Sequence, residues 1–433
     1  MTLNRHLIVV SVDAMVYEDL ALLKELPAMK RIITEGSLVR HMKTIYPSLT
    51  HPVHATLMSG CAPNRTGVPN NFLFIPGKQD LPWFNYMSQM KCETIFHAAH
   101  RAGLRTAACR WPMTAGGFDV IDYLVPEVEG CDEQLEPDRE KLYQKVCSPE
   151  IFENAVKPYL PYVIGKDRYP AYEDLSIASA IAIIRQFKPN LLLTHPCLVD
   201  HNRHISGLHS NLVEDALRKT DEWIGMLLQA VEDAGIQDST SFCIVSDHGH
   251  LEYTRSIALN VYFRDCGLIQ VDEKGDVVDW DAYCMSSGLS AQIYVKNTNR
   301  VAEIGELLKK MSAAGLYGFT EVLTAQEAKE RYNLTGEFAF VVDTDGCTSF
   351  SSNWNGPLVR VNQGAESGKH HSSHGHMPEK GPQPPMIVYG PAFRKGVCLD
   401  DGNILDEAPT FAAALGLELP QAQGKPIKEL LLR

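Results

Sequence analysis

The sequence predicts an α/β protein built on a central, mostly parallel sheet flanked by helices. Three short apolar runs predict it: residues 7–12 (Leu-Ile-Val-Val-Ser-Val), residues 190–195 (Asn-Leu-Leu-Leu-Thr-His) and residues 241–245 (Ser-Phe-Cys-Ile-Val). Strands covered on both faces read in this way, without the polar alternation of a half-exposed sheet. Each run also ends in chemistry-bearing residues. Asp13 follows the first, His195 closes the second, and Ser246-Asp247-His248-Gly249-His250 follows the third. The carboxyl edge of an open α/β sheet is where such folds gather their sites.

Composition narrows the class. Across 433 residues, 45% hydrophobic and 21% charged content is enough for a substantial core. A formal net charge of -13 argues against a nucleic acid polymer or an anionic membrane as partner and leaves a small-molecule substrate. That substrate can still be anionic, because bound divalent cations reverse the local sign in a cleft. The eleven cysteines form no Cys-x-x-Cys pair and fit neither a disulfide framework nor a zinc ribbon. They read as small buried hydrophobes in a reducing cytoplasm. With no basic leader and no apolar stretch of the roughly 18 to 20 residues a membrane span needs, the expectation is a soluble cytoplasmic protein. Whether it forms a homo-oligomer is left open.

Taken in order, the segment after Asp13 reads as helical, with Leu20, Leu22, Leu23 and Leu26 ahead of a break at Pro27. In Tyr46-Pro47-Ser48-Leu49-Thr50-His51-Pro52-Val53-His54, two prolines bracket Thr50 and make a rigid elbow, with a helix beginning just after Pro52. A hydroxyl at a helix N-terminus sits where anions are favoured, which suits a nucleophile for phosphorus; a plain N-cap role answers the same position. Residues 63–72 are turn chemistry, and Asn71 there either offers an amide to an oxyanion or takes a left-handed backbone. A helix near 92–103, a strand at 105–109, and helices at 174–187 and 211–234 follow. Asp200 and His204 stand four apart, a spacing that brings a carboxylate and an imidazole to one ion. His201 and His209 read as surface or supporting residues. From 255 to about 370 the periodicity changes repeatedly, with a strand at 291–295 and a helix at 300–313. Residues 369–376, Lys-His-His-Ser-Ser-His-Gly-His, then precede a strand at 385–390, and a helix near 408–416 closes the chain. The domain reading is a core of 1–264 and 366–433, an inserted cap or lid at 265–365, and a surface elaboration at 125–175.

Collected, the candidates are Asp13, Thr50, Asp200, His204, Asp247, His248 and His374. Three carboxylates and three imidazoles make two three-ligand sites. Oxygen and nitrogen donors without thiolate suit Zn²⁺, with Mn²⁺ or Fe²⁺ as alternatives. Two such ions about 3.5 to 4 Å apart activate a hydroxyl and hold the oxygens of an in-line displacement at phosphorus.

In this order the motifs resemble the nucleotide pyrophosphatase/phosphodiesterase group of the alkaline phosphatase superfamily. They are Asp13 after strand one, Tyr46-Pro47-x-x-Thr50-x-Pro52-x-His54 running to Gly60, Asp200-x-x-x-His204-x-x-Gly207, Ser246-Asp247-His248-Gly249 and His374-Gly375-x-x-Pro378. The resemblance implies an alkaline-phosphatase-like core in which Asp200, His204 and His374 hold one zinc. Asp13, Asp247 and His248 would hold the other, which also meets Thr50. It further implies that Thr50 is the nucleophile of a phosphoryl-threonine intermediate and that Asn71, with the Thr50 amide, binds a non-bridging oxygen.

Three positions depart from the pattern. Arg203 replaces a glycine, Ser-Asp-His-Gly ends in His250 where methionine is familiar, and His195 stands where an aromatic often stacks on a base. The activity expected is that of a phosphodiesterase or nucleotide pyrophosphatase. A phosphonate hydrolase is the alternative, with Arg203, Lys369 and Arg110 as contacts for a carboxylated phosphonate. A sulfatase would need cysteine or serine where Thr50 stands. A metal-stabilised domain without turnover is the reading from another class.

Overall fold

The computed structural model describes residues 5–127, 138–163, 169–362 and 371–432. An eight-stranded sheet forms its centre: β1 (His6–Ser11), β2 (Ser37–Lys43), β3 (Thr106–Cys109), β4 (Tyr123–Val125), β5 (Leu191–Thr194), β6 (Thr240–Val245), β7 (Met386–Tyr389) and β8 (Cys398–Asn403). They lie in the order β8-β2-β7-β6-β1-β5-β3-β4, and all run parallel except β7. β1 is central, pairing Val9 with Leu193 of β5 on one side and with Cys243 of β6 on the other. Alternation along it feeds two cores. Ile8 and Val10 pack on one face with α2 (Ala171–Phe187) and α4 (Asn211–Asp233). Leu7 and Val9 pack on the other with α1 (Thr50–Ser59) and the helix Glu407–Ala414.

The register explains where the chemistry collects. Ser11 lies beside Val245 and Val10 beside Thr194, so Asp13, His195 and Asp247 leave one sheet edge together. β7 runs the other way between β2 and β6, pairing Ile387 with Ile244. Its N-terminal end therefore lies at that same edge, and the loop carrying His374 arrives there.

A second sheet lies within the segment read as an insertion. The strands Ala282–Ser286, Ser290–Val295, Phe340–Thr344 and Phe319–Thr324 pair antiparallel in that order, with the helices Val301–Ala314 and Ala325–Tyr332 beside them. They enclose an apolar cluster that includes Ile293, Leu308 and Val342. This sheet is tied to the His374 loop, since Leu289 N–H donates to the His374 carbonyl at 2.9 Å. Gly288, at φ +72°, permits that approach, because a Cβ there would collide with the same carbonyl.

Two expectations need correction. The chain after Asp13 forms only short turns at Tyr17–Asp19 and Leu20–Leu23, and a helix starts at Pro27 instead of ending there. Proline at a first helical position loses no hydrogen bond, and the Met29 N–H of that first turn donates to Asp221 Oδ1 at 2.7 Å. The segment read as a surface elaboration is also packed inward. Leu142, Tyr143, Phe152 and Val156 are buried in the core shared with Leu175 and Trp223.

Candidate metal centre and nucleophile

α1 begins at Thr50 itself, three residues earlier than the proline pattern predicts. Pro52 falls in the first turn, where backbone N–H groups have no intrahelical partner, so its ring costs no hydrogen bond. Thr50 is partly exposed, with Oγ1 3.4 Å from His248 Nε2. His54, one turn on, donates from Nδ1 to the Thr50 carbonyl at 2.8 Å, so its Nε2 accepts from Ser11 Oγ at 2.9 Å. Burial pulls the His54 imidazole down to about 3, which keeps it neutral.

Asp13, Asp247 and His248 come together beside Thr50. One oxygen of Asp247 is anchored, accepting from the N–H groups of Ala14 and His248 at 3.0 Å each. Its Oδ2 and Asp13 Oδ1 are buried without a hydrogen-bond donor. These two oxygens lie 3.2 and 3.6 Å from His248 Nε2. Burial and then the Asp247 charge push the Asp13 carboxyl well above the usual carboxylate range. Burial likewise raises Asp247 to about 7. Packing two carboxylates this closely away from water favours a bound cation.

The second group surrounds Asp200 on α3 (Leu198–Ser206). His204 follows it on the same helix, 3.4 Å from Asp200 Oδ1, and His374 Nε2 reaches that oxygen at 3.7 Å. The stacked rings of His248 and His374, 3.9 Å apart, join the two groups into one centre. Each group presents ligand atoms within 4.8 Å of one another: Asp13, Asp247 and His248 in one, Asp200, His248, His250 and His374 in the other.

Asn71 adjoins Thr50. Its Oδ1 accepts from the His51 N–H at 2.9 Å, which orients the amide and leaves its NH₂ as the donating end. With Leu49, Phe72, Trp83, His204 and His374, Asn71 lines an open cavity of about 360 Å³.

The three cations proposed as substrate contacts stand differently. Arg203 is buried and points back into the fold, where it pairs with Asp19 at 2.6 Å and donates to the Ala14 carbonyl. Its charge is spent holding the segment after Asp13, which explains why a long cation occupies a position expected to hold glycine. Lys369 lies outside the described residues. Arg110 is also buried, with its guanidinium 4.3 Å over the Tyr172 ring and 3.7 Å from Glu127.

Three histidines that the sequence reading did not count among the ligand candidates join the centre. His54 and His195 contact the carboxylates, with His195 Nε2 3.1 Å from Asp13 Oδ2, while His250 Nε2 lies 2.7 Å from Asp200 Oδ1. His250 left a signal in the sequence, being a second imidazole two residues beyond His248. His201 stacks on Tyr169 at 4.0 Å, in keeping with a supporting role.

This sheet, with the candidate ligands gathered at one carboxyl edge, is the alkaline-phosphatase-like α/β fold. A family model for type I phosphodiesterase / nucleotide pyrophosphatase matches residues 7–376, and the chain belongs to that family. The chain is similar to ectonucleotide pyrophosphatase/phosphodiesterase family member 1 of Rattus norvegicus, 25% identical over 256 residues, or 57% of this chain and 24% of that protein. It is also similar to venom phosphodiesterase 2 of Crotalus adamanteus, 22% identical over 55% of this chain and 26% of that protein. The chain thus matches about a quarter of the length of these curated relatives. Among solved structures, human ectonucleotide pyrophosphatase/phosphodiesterase 5 superposes with a TM-score of 0.69 at 19% identity, covering 99% of this chain and 100% of that one. An inactive form of the murine protein in complex with AMP gives a TM-score of 0.66 at 19% identity, with the same coverage of both chains.

Proposed function

We propose that this chain is a di-metal hydrolase of phosphate esters, a phosphodiesterase of nucleotide pyrophosphatase type that works through a phosphoryl-threonine at Thr50. One observation carries the reading. Two buried carboxylate oxygens without donors, Asp13 Oδ1 and Asp247 Oδ2, face the Nε2 atom of His248 that lies 3.4 Å from the Thr50 hydroxyl. Acceptors crowded away from water beside a nucleophile are the donor set of a divalent ion.

In this reading Asp13, Asp247 and His248 hold one ion and Asp200, His204 and His374 the other. The nitrogen and oxygen donors suit Zn²⁺ best and admit Mn²⁺ or Fe²⁺. Bound there, the ions would supply Lewis acidity toward phosphoryl oxygens and lower the pKa of a hydroxyl or a water. The chain supplies the rest. Thr50 Oγ1 forms a bond to phosphorus as the bond to the leaving alcohol breaks, and that alcohol departs with the proton Thr50 gave up. Water then cleaves the Oγ1–phosphorus bond, returns a proton to Thr50 and releases the phosphate product. The Asn71 amide and the Thr50 N–H would face the charge that develops on phosphoryl oxygen, the His51 N–H being already given to Asn71 Oδ1.

The substrate class is a small phosphate ester, and a nucleotide fits best. Phe72 and Trp83, with ring centroids 4.4 Å apart, give the cavity an aromatic wall suited to a base, and a related fold was solved with AMP. Of the three cations on which the phosphonate alternative drew, Arg203 and Arg110 are engaged inside the fold, and Lys369 lies outside the described residues. The test is Thr50→Ala assayed on a p-nitrophenyl phosphodiester. Turnover should fall by at least about a thousandfold while both ions stay bound. Undiminished turnover would remove Thr50 as nucleophile.

A further inference from the structure

The hydrogen bonds around Asp200 decide which nitrogen of each neighbouring histidine carries its proton. His204 Nδ1 faces the Ser372 carbonyl at 2.8 Å and His374 Nδ1 faces the Ser48 carbonyl at 3.1 Å. A carbonyl only accepts, so both rings donate from Nδ1, and in the neutral imidazole Nε2 is then the lone pair a metal would take. His250 Nδ1 faces Ser372 Oγ at 2.9 Å. That hydroxyl has one proton, which it donates to the Arg203 carbonyl at 2.8 Å. Toward His250 it must therefore accept, and the third ring is fixed in the same tautomer.

All three Nε2 atoms converge on one oxygen. They lie 2.7 Å (His250), 3.4 Å (His204) and 3.7 Å (His374) from Asp200 Oδ1. Lone pairs aimed at a carboxylate oxygen repel it, and a cation seated among them turns that repulsion into ligation. Of the three, His250 is nearest to the carboxylate, and its ring is fully enclosed.

We infer that His250 is a direct metal ligand beside Asp200 and His374, whose ligand atoms lie within 4.8 Å of its own, with His204, from the same helix as Asp200, as the fourth donor. The inference rests on the di-metal reading above and adds to it an asymmetry between the two ions. Four protein donors are the closed arrangement of structural zinc, whereas three leave a position open. An ion at Asp200 would thereby have fewer open positions than one held by Asp13, Asp247 and His248, beside Thr50.

The test uses the intact protein loaded with Zn²⁺, and with Co²⁺ as a spectroscopic probe. Chelator competition on His250→Gln should show one of two ions bound more than 100-fold more weakly. Loss of a mere orienting partner costs only about 10 to 100-fold. The Co²⁺ absorption of that site should weaken as its tetrahedral set is lost. Because a buried substitution can disturb folding, X-ray absorption on the unmutated zinc protein gives an independent count. Four imidazoles shared by two ions support the inference, and three overturn it, as does a His250→Gln protein that keeps both ions within 100-fold. Unmutated protein that binds neither Zn²⁺ nor Co²⁺ overturns the di-metal reading itself.

Discussion

Arg203 and Asp19 form a buried ion pair at 2.6 Å, and the same guanidinium donates to the carbonyl of Ala14, the residue after Asp13. A cation on the helix that carries Asp200 and His204 thus braces the strand end that carries Asp13. Breaking such a pair leaves a charge buried alone, which costs about 3 to 5 kcal/mol. Arg203→Ala should lower unfolding free energy in urea by that order. Adding Asp19→Asn to it should recover part of the loss. A single variant as stable as the parent would show that the pair is dispensable.

Asn71 has two separable ends. Asn71→Asp keeps an oxygen to accept from His51 N–H but loses the NH₂ donor. It should unfold at the parent temperature, while its kcat falls about 10² to 10³-fold, as when an oxyanion donor is removed. Asn71→Ala loses the anchor as well and should also melt lower. Equal kcat in parent and Asn71→Asp proteins would separate the amide from the reaction.

Glu407 offers a pH test on a residue outside the candidate ligand set. It is fully buried, neither oxygen has a hydrogen-bond partner, and burial, then the Asp406 charge, raises its carboxyl well above the usual value. The folded chain therefore keeps a proton that the unfolded chain has released once pH exceeds about 4.5. Stability contributed through this group falls as pH rises from there, by up to about 1.4 kcal/mol per unit. Urea unfolding at several values between about pH 5 and 8 should show Glu407→Gln gaining on the parent as pH rises. Parallel curves would mean that Glu407 ionises at no cost.

Ions that bind only the folded chain stabilise it by mass action, by about 2.7 kcal/mol at a hundred times the dissociation constant. Zn²⁺ should raise the melting temperature of chelator-stripped protein. Thr50→Ala should show nearly the same rise, because two carboxylates and an imidazole stay beside it. Melting temperatures indifferent to Zn²⁺ and to chelator would count against both ion sites.

Much of the candidate centre was legible in the sequence because several of its side chains sit just beyond strand ends. Apolar runs without alternation gave β1, β5 and β6, and the residues just beyond them are Asp13, His195 and Asp247. The spacing of Asp200 and His204 survived because they lie on one helical turn. The role of Arg203 was hidden, since a lone cation in sequence says nothing of whether it faces solvent or a carboxylate such as Asp19. His250 was hidden for a related reason. Only the fold brings its Nε2 to Asp200, which stands 50 positions earlier. The antiparallel sheet of residues 282–344 was missed in three of its four strands, because runs such as Phe319–Thr324 are short, polar on one side and flanked by helices.

The reversed direction of β7 also sets a schedule for assembly. His374 reaches Asp200 only because the segment after it turns back between β2 and β6. A chain emerging from the ribosome has Asp13, Asp200 and Asp247 in place long before that closing strand exists. Until that strand is made, then, the three carboxylates stand without the imidazole of His374, and the candidate centre is assembled only once the chain has passed β7.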